Sequence, residues 1–209
     1  LDVICFDFVA QFLSLLQNPS IMRAENLAID INDPLKPNFE LKGTSTVLGE
    51  AISGSVYCKA YIQLITDPEK QLFVPIIQWI DCTTTTGNDC FSLKPYMFTP
   101  AIITKKFRRS IKARGYHGFL PKRKSSSAQK QALCMGDAIQ NYHKKLDGIL
   151  ESFWKYSPQL RGVYLPIGPK GKICVDIVTC VLFTIQNMQE GDMLCGWYGV
   201  HTSGIQRSH

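Results

Sequence analysis

QLFVPIIQWID (71–81), followed by TTTTGND (83–89) and FSLKPYMFTP (91–100), is the stretch that decides the fold. The first segment is strongly apolar and rich in β-branched and aromatic side chains, which is the composition of a buried strand. It ends at Asp81, and the threonine-rich turn leads into a second strand. AIITKK (101–106) reads as a third, so the region predicts consecutive antiparallel hairpins. Pro75 and Pro95 each remove a backbone donor and are expected at edges or bulges.

On the N-terminal side, Ile4, Phe8, Phe12, Leu15 and Leu16 recur at helical spacing over 4–16, and Asn18-Pro19 closes that helix. Residues 19–55 are weakly patterned, and 55–66 leans towards helix. On the C-terminal side, 129–156 reads as one long helix. Its apolar stripe is Ala138, Ile139, Tyr142, Leu146, Ile149, Leu150 and Phe153. Residues 161–185 read as a hairpin around Gly168-Pro169-Lys170-Gly171 and lead into the polar segment QNMQEGDMLCGWYG (186–199). The order of elements predicts an α/β fold, a mixed sheet flanked by helices. Residues 1–66 are expected to form a helical and irregular extension, and 67–209 the core.

A chain of 209 residues, 45% hydrophobic and 19% charged, can bury one good-sized core or two small ones and does not have the composition of a disordered protein. No apolar run reaches the length of a membrane span; the longest, Ile177 to Ile185, is strand-sized. The eight cysteines include no C-x-x-C pair, which leaves a structural zinc site without support. With no secretory leader in view, reduced intracellular thiols are expected. The net charge of +6 permits a nucleic-acid partner without demanding one. Nine cations fall within 105–124 with no acid among them: Lys105, Lys106, Arg108, Arg109, Lys112, Arg114, Lys122, Arg123 and Lys124. Such a run suits a phosphate backbone, and it equally suits a solvated loop.

Asp81 is the leading candidate for chemistry. A carboxylate held by a rigid strand and solvated at its tip is a sound mount for Mg²⁺ or Mn²⁺, which take oxygen ligands. An ordinary turn-initiating Asp would look the same. Asp192 follows a second apolar-to-polar transition and could share a metal with Asp81 for phosphoryl transfer, with Glu190 and Asp176 competing for that role. The chain has no glycine-rich nucleotide loop; GPKGK (168–172) is a turn with lysines.

Seven stretches, in order, resemble the transposase domain of the Plavaka group, eukaryotic DNA transposons related to the CACTA-type elements. They are FDFVAQFLSLLQNP (6–19), SGSVYCKAY (53–61), LFVPIIQWIDCTTTT (72–86), FSLKPYMFTPAII (91–103), ARGYHGFLPK (113–122), NYHKKLDGIL (141–150) and QNMQEGDMLCGWYG (186–199). The resemblance implies a ribonuclease H-like core whose acids hold divalent metal for DNA strand cleavage and joining, in a nuclear protein. It makes Asp81 the first acid, at the end of the first core strand. The end of the fourth strand would supply the second. There the family carries acids where this chain has Asn187 and Asp192, and either position could be the ligand. A third acid is expected on a helix beyond His209, as are the regions that bind DNA ends and a second protomer. The resemblance therefore predicts an incomplete catalytic site and a fragment inactive on its own, with Lys105, Lys106, Arg108, Arg109, Lys112 and Arg114 facing DNA. The alternative is a non-catalytic DNA-binding or protein-interaction remnant.

Overall fold

The computed structural model describes residues 3–37, 49–80, 83–84, 91–123, 135–156 and 159–185. Strand β1 (Ile4–Cys5) precedes helix α1 (Phe8–Leu16). The helix starts where Asp7 caps it, its Oδ1 accepting the Ala10 N–H at 2.7 Å. Helix α2 spans Ser55–Leu64. Strands β2 (Gln71–Phe73), β3 (Ile76–Ile80), β4 (Thr83–Thr84), β5 (Phe91–Pro100) and β6 (Gly115–Arg123) follow. Helix α3 (Met135–Tyr156) leads to β7 (Gln159–Leu165), β8 (Ile173–Val178) and β9 (Val181–Ile185).

The larger sheet has the order β1-β6-β5-β3-β9, with β4 beside β5; the smaller is β2-β8-β7. In the larger sheet β3, β5 and β6 form an antiparallel meander, and β9 runs parallel to β3 on its other side. The expected mixed sheet flanked by helices is therefore present.

Two long strands link the sheets. β2 runs into β3 through Val74-Pro75, and β8 runs into β9 through Thr179-Cys180. The parallel ladder continues across this shared bend, from Val74 N–H to the Val178 carbonyl and from Ile76 N–H to the Cys180 carbonyl, both 2.8 Å. Pro75 sits where the bend needs no donor, and its carbonyl accepts the Ala101 N–H at 2.8 Å. Pro95 lies next to the register shift between Tyr96 and Met97.

Three sequence expectations change. AIITKK is not a strand: Ala101, Ile102 and Ile103 are all fully buried in a turn, with Ile103 bridging Leu27. Their apolarity reflects burial on every side, not the face of a sheet. The third strand of the meander is β6, inside the basic segment. Ile4 and Cys5 belong to a strand and not to the first helix, because β1 pairs with β6 at Phe119 and Gly118. Of the expected 129–156 helix, 129–134 lie outside the described residues.

Helices α1 and α3 meet over the meander. Phe8 and Phe12 stack at 5.0 Å, and Phe8 meets Phe153 edge-on at 4.9 Å. The Phe8 N–H, one of the orphan donors of the α1 start, is satisfied by Ser152 Oγ of α3 at 2.8 Å. From the α3 stripe, Tyr142, Leu146, Ile149 and Leu150 pack with Ile80, Tyr96 and Leu120, while Phe153 joins the larger core around α1.

His117 lies at the centre of this junction. Tyr96 pairs with Gly118 and Met97 with Tyr116, so His117 is the extra residue of a β-bulge, which turns its side chain inward. Its ring is fully buried among Phe98 (4.7 Å), Tyr96 (5.3 Å), Phe8 (5.6 Å) and Phe153 (5.9 Å), and neither nitrogen has a hydrogen-bond partner. Burial holds its pKa down at about 3, so the ring is neutral in the fold. The unfolded chain binds that proton near pH 6.5, so stability falls as pH drops from about 6.5 towards 3, by about 1.4 kcal/mol per pH unit. His117→Phe should match the parent at pH 7 to within about 1.5 kcal/mol and exceed it increasingly below pH 6. Urea midpoints of both proteins from pH 7.5 to 4.5 measure this; parallel curves would show that His117 carries none of the pH dependence.

Candidate functional site

Asp81, Asn187, Glu190 and Asp192 lie outside the described residues, as does Lys124. The strands that lead to the first two are described up to Ile80 and Ile185. β3 and β9 are parallel neighbours, and their last pair is Trp79 with Ile185. In sequence, Asp81 follows Trp79 by two residues and Asn187 follows Ile185 by two. The two strands are fastened near these ends by the buried Gln78, whose side-chain amide donates to Thr184 Oγ1 at 3.0 Å. Ile80, at the end of β3, lies under the α3 stripe.

Asp176 is already engaged. It stands in β8 opposite an irregularity in β7, where the register shifts between Leu160 and Val163 and Gly162 takes a φ of 64°. Its Oδ1 accepts the Gly162 N–H at 2.8 Å, and its Oδ2 accepts from Gln159 Nε2 at 3.4 Å. The carboxylate thus satisfies backbone freed by the bulge, which accounts for an acid inside a strand. Among the described residues, no three His, Cys, Asp or Glu side chains gather into a metal site.

The basic segment divides in two. Lys105 to Arg114 form the connection between β5 and β6, built from two 3₁₀ turns, Phe107–Arg109 and Ile111–Ala113. β5 ends at Pro100 opposite Ile76, so this connection lies at the start of β3. Lys122 and Arg123 lie at the far end of β6, opposite Ser92 and Phe91. The nine residues of β6 separate the two groups by about 27 Å at 3.4 Å per residue.

Within the connection, two of the six cations predicted to face DNA are structural. Arg108 is half-buried: Nη2 donates to Glu50 Oε2 at 2.9 Å, and Nη1 donates to the Ala101 carbonyl at 3.4 Å. Burial lowers its pKa, and the Glu50 charge opposes that shift. Arg114 lays its guanidinium over the Trp79 ring at 5.5 Å and donates to the Arg109 carbonyl at 3.2 Å. Lys105, Lys106, Arg109 and Lys112 are exposed, and none is in an ion pair among the described residues.

Glu50 was hidden from sequence reasoning by its place in a weakly patterned stretch. Its carboxylate accepts the Lys105 N–H at 2.8 and 2.9 Å as well as the Arg108 guanidinium, so it ties residues 49–53 to the basic turn. No periodicity marks such a contact, because its partners are 55 and 58 residues away.

A separate cleft of about 310 Å³ opens between β1 and α3, lined by Cys5, Asp7, Glu151, Ser152, Lys155 and Tyr156 among others. Of the described residues predicted to face DNA, none lines it. Among the described residues, Cys5, Cys58, Cys174 and Cys180 are free thiols, and no helix is long and apolar enough to cross a membrane.

Comparison of the chain with family models, with curated proteins and with solved structures returns no match.

Glu50→Ala leaves a half-buried guanidinium and a backbone N–H without their acceptor, and should cost about 2 kcal/mol. Urea unfolding at pH 7 measures the loss. In the Arg108→Met background the same substitution should cost less, because the stranded charge is gone.

Proposed function

We propose that the chain is a fragment of a transposase-derived DNA strand-cleaving and strand-joining domain of ribonuclease H-like type, inactive alone. The observation that carries this reading is the pairing of β3 with β9. The resemblance calls for a first core strand ending in an acid and a fourth strand ending beside it. The four long strands of the larger sheet, in chain order, are β3, β5, β6 and β9, and the fourth lies parallel to the first. Asp81 and Asn187 each follow the last pair of that ladder by two residues, which favours Asn187 over Asp192 as the position that answers Asp81.

An Asn there supplies an oxygen ligand without charge, so a site built on Asp81 and Asn187 is weak for a hard divalent cation. When bound, Mg²⁺ or Mn²⁺ supplies Lewis-acid activation of water or a sugar hydroxyl towards phosphate. The protein's own contribution is to hold the two strand ends together through Gln78, Thr184 and the packing of Ile80 under α3. In this reading weak metal affinity accounts for the inactivity, and a nuclear location accompanies it.

Titration with Mn²⁺ by calorimetry tests it. The chain should bind weakly, Asp81→Asn should abolish binding, and Asn187→Asp should tighten it on the order of tenfold or more. Binding unaffected by Asp81→Asn would overturn the assignment. If Asp192→Asn rather than Asn187→Asp changes affinity, Asp192 is the second ligand. The second reading, a non-catalytic DNA-binding remnant, is favoured by the four exposed cations of the β5–β6 connection.

A further inference from the structure

We propose that Lys105, Lys106, Arg109 and Lys112 form a preorganised docking surface for the phosphate backbone of duplex DNA, at the end of the sheet opposite the one that leads to Asp81. This deepens the DNA-partner reading above and rests on it.

The geometry of the connection separates residues that hold it from residues it presents. Phe107 packs against the larger core and Ala113 is fully buried. Thr99 Oγ1 donates to the Ala113 carbonyl at 2.7 Å, and the Thr104 N–H donates to the Asn26 carbonyl at 2.8 Å. Glu50 and Arg108 clamp one side, and Arg114 on Trp79 holds the other. Backbone bonds from Arg108 to Thr104, Ser110 to Phe107 and Ala113 to Ser110 set the two turns. The four remaining cations project from this fixed frame. Among the described residues, the acid bound to the segment is Glu50, which is occupied by Arg108 and the Lys105 N–H. The surface therefore offers four charges whose backbone is already ordered, so binding need not order the loop.

Duplex backbone fits better than the other polyanions. A single strand needs aromatic faces for its bases, and the only aromatic of the connection, Phe107, is packed into the core. A lipid surface needs an apolar face to insert, and the segment exposes one large apolar side chain, Ile111. Phosphates ask only for fixed positive charge. The surface stands at the Ile76 end of β3, about 13 Å along the strand from Ile80. DNA held there is gripped away from the strand ends where chemistry would occur, so binding would survive loss of the metal site.

The test is binding of the chain to a random-sequence 20-base-pair duplex, by fluorescence anisotropy from 25 to 200 mM salt. Four phosphate contacts give a slope of log K against log salt of about −3.6, and each single Gln substitution among the four should reduce its magnitude by about 0.9. The quadruple Gln variant, with an unchanged urea midpoint, should lose the salt dependence. Lys170→Gln with Lys172→Gln, a control that removes two charges from another turn, should leave it near the wild-type value, where any two substitutions among the four should reduce it by about 1.8, and Asp81→Asn should have no effect. Salt-dependent binding that persists in the quadruple variant overturns this surface and leaves the DNA reading standing. Absence of DNA binding by the wild-type chain overturns both. Binding to phosphatidylserine vesicles in preference to the duplex would make the surface a lipid site and also overturn the proposal.

Discussion

The hydrogen bonds from Val74 to Val178 and from Ile76 to Cys180 carry one parallel ladder across a proline. Backbone in a core must be paired, and Pro75 has no N–H to pair, so the chain can bend there without stranding a donor. The partner strand bends at Thr179-Cys180 on the same level. The two strands thereby contribute to both sheets, with Val74, Ile76 and Ile177 fully buried along the join. That ladder makes β9 the parallel neighbour of β3, so the two strands run side by side to their ends at Ile80 and Ile185.

The same ladder fixes where charge can go. β5 returns antiparallel to β3, so the connection after Pro100 emerges at the bend, far from Ile80. The basic run of the sequence is then drawn out along β6 and cannot act as one patch. Within the connection, burial decides which cations are free. A half-buried guanidinium needs an acceptor, and Glu50 provides it; a guanidinium lying on Trp79 is held by the ring face. The four lysine and arginine side chains that remain in water keep their charge available for a partner.

Several features were legible in the sequence because they depend on local pattern. The apolar run 71–80 with its interrupting proline, the strand 91–100, the α3 stripe and the hairpin at Gly168 to Gly171 all stand where periodicity and turn chemistry put them. Others were not. β6 hid inside a basic segment, and its alternation is broken by the bulge: Gly115 and His117 point inward, then Gly118 and Leu120, so the period of two shifts phase at His117. AIITKK has strand composition, but Ala101, Ile102 and Ile103 lie in a turn where all three meet core and no sheet face exists. The loop cap from Glu50 joins residues far apart in the chain and leaves no pattern at all.

By itself, the sequence determined the class of fold and most of its long elements, since these rest on hydrophobic period and turn chemistry. Only the tertiary structure decided which strand lies beside β3, which of the six DNA-facing candidates are spent on holding the fold, and that an unpartnered histidine stands at the junction of two helices and the sheet. Those outcomes depend on contacts between distant segments, where burial and pairing, and not local preference, set the free energy.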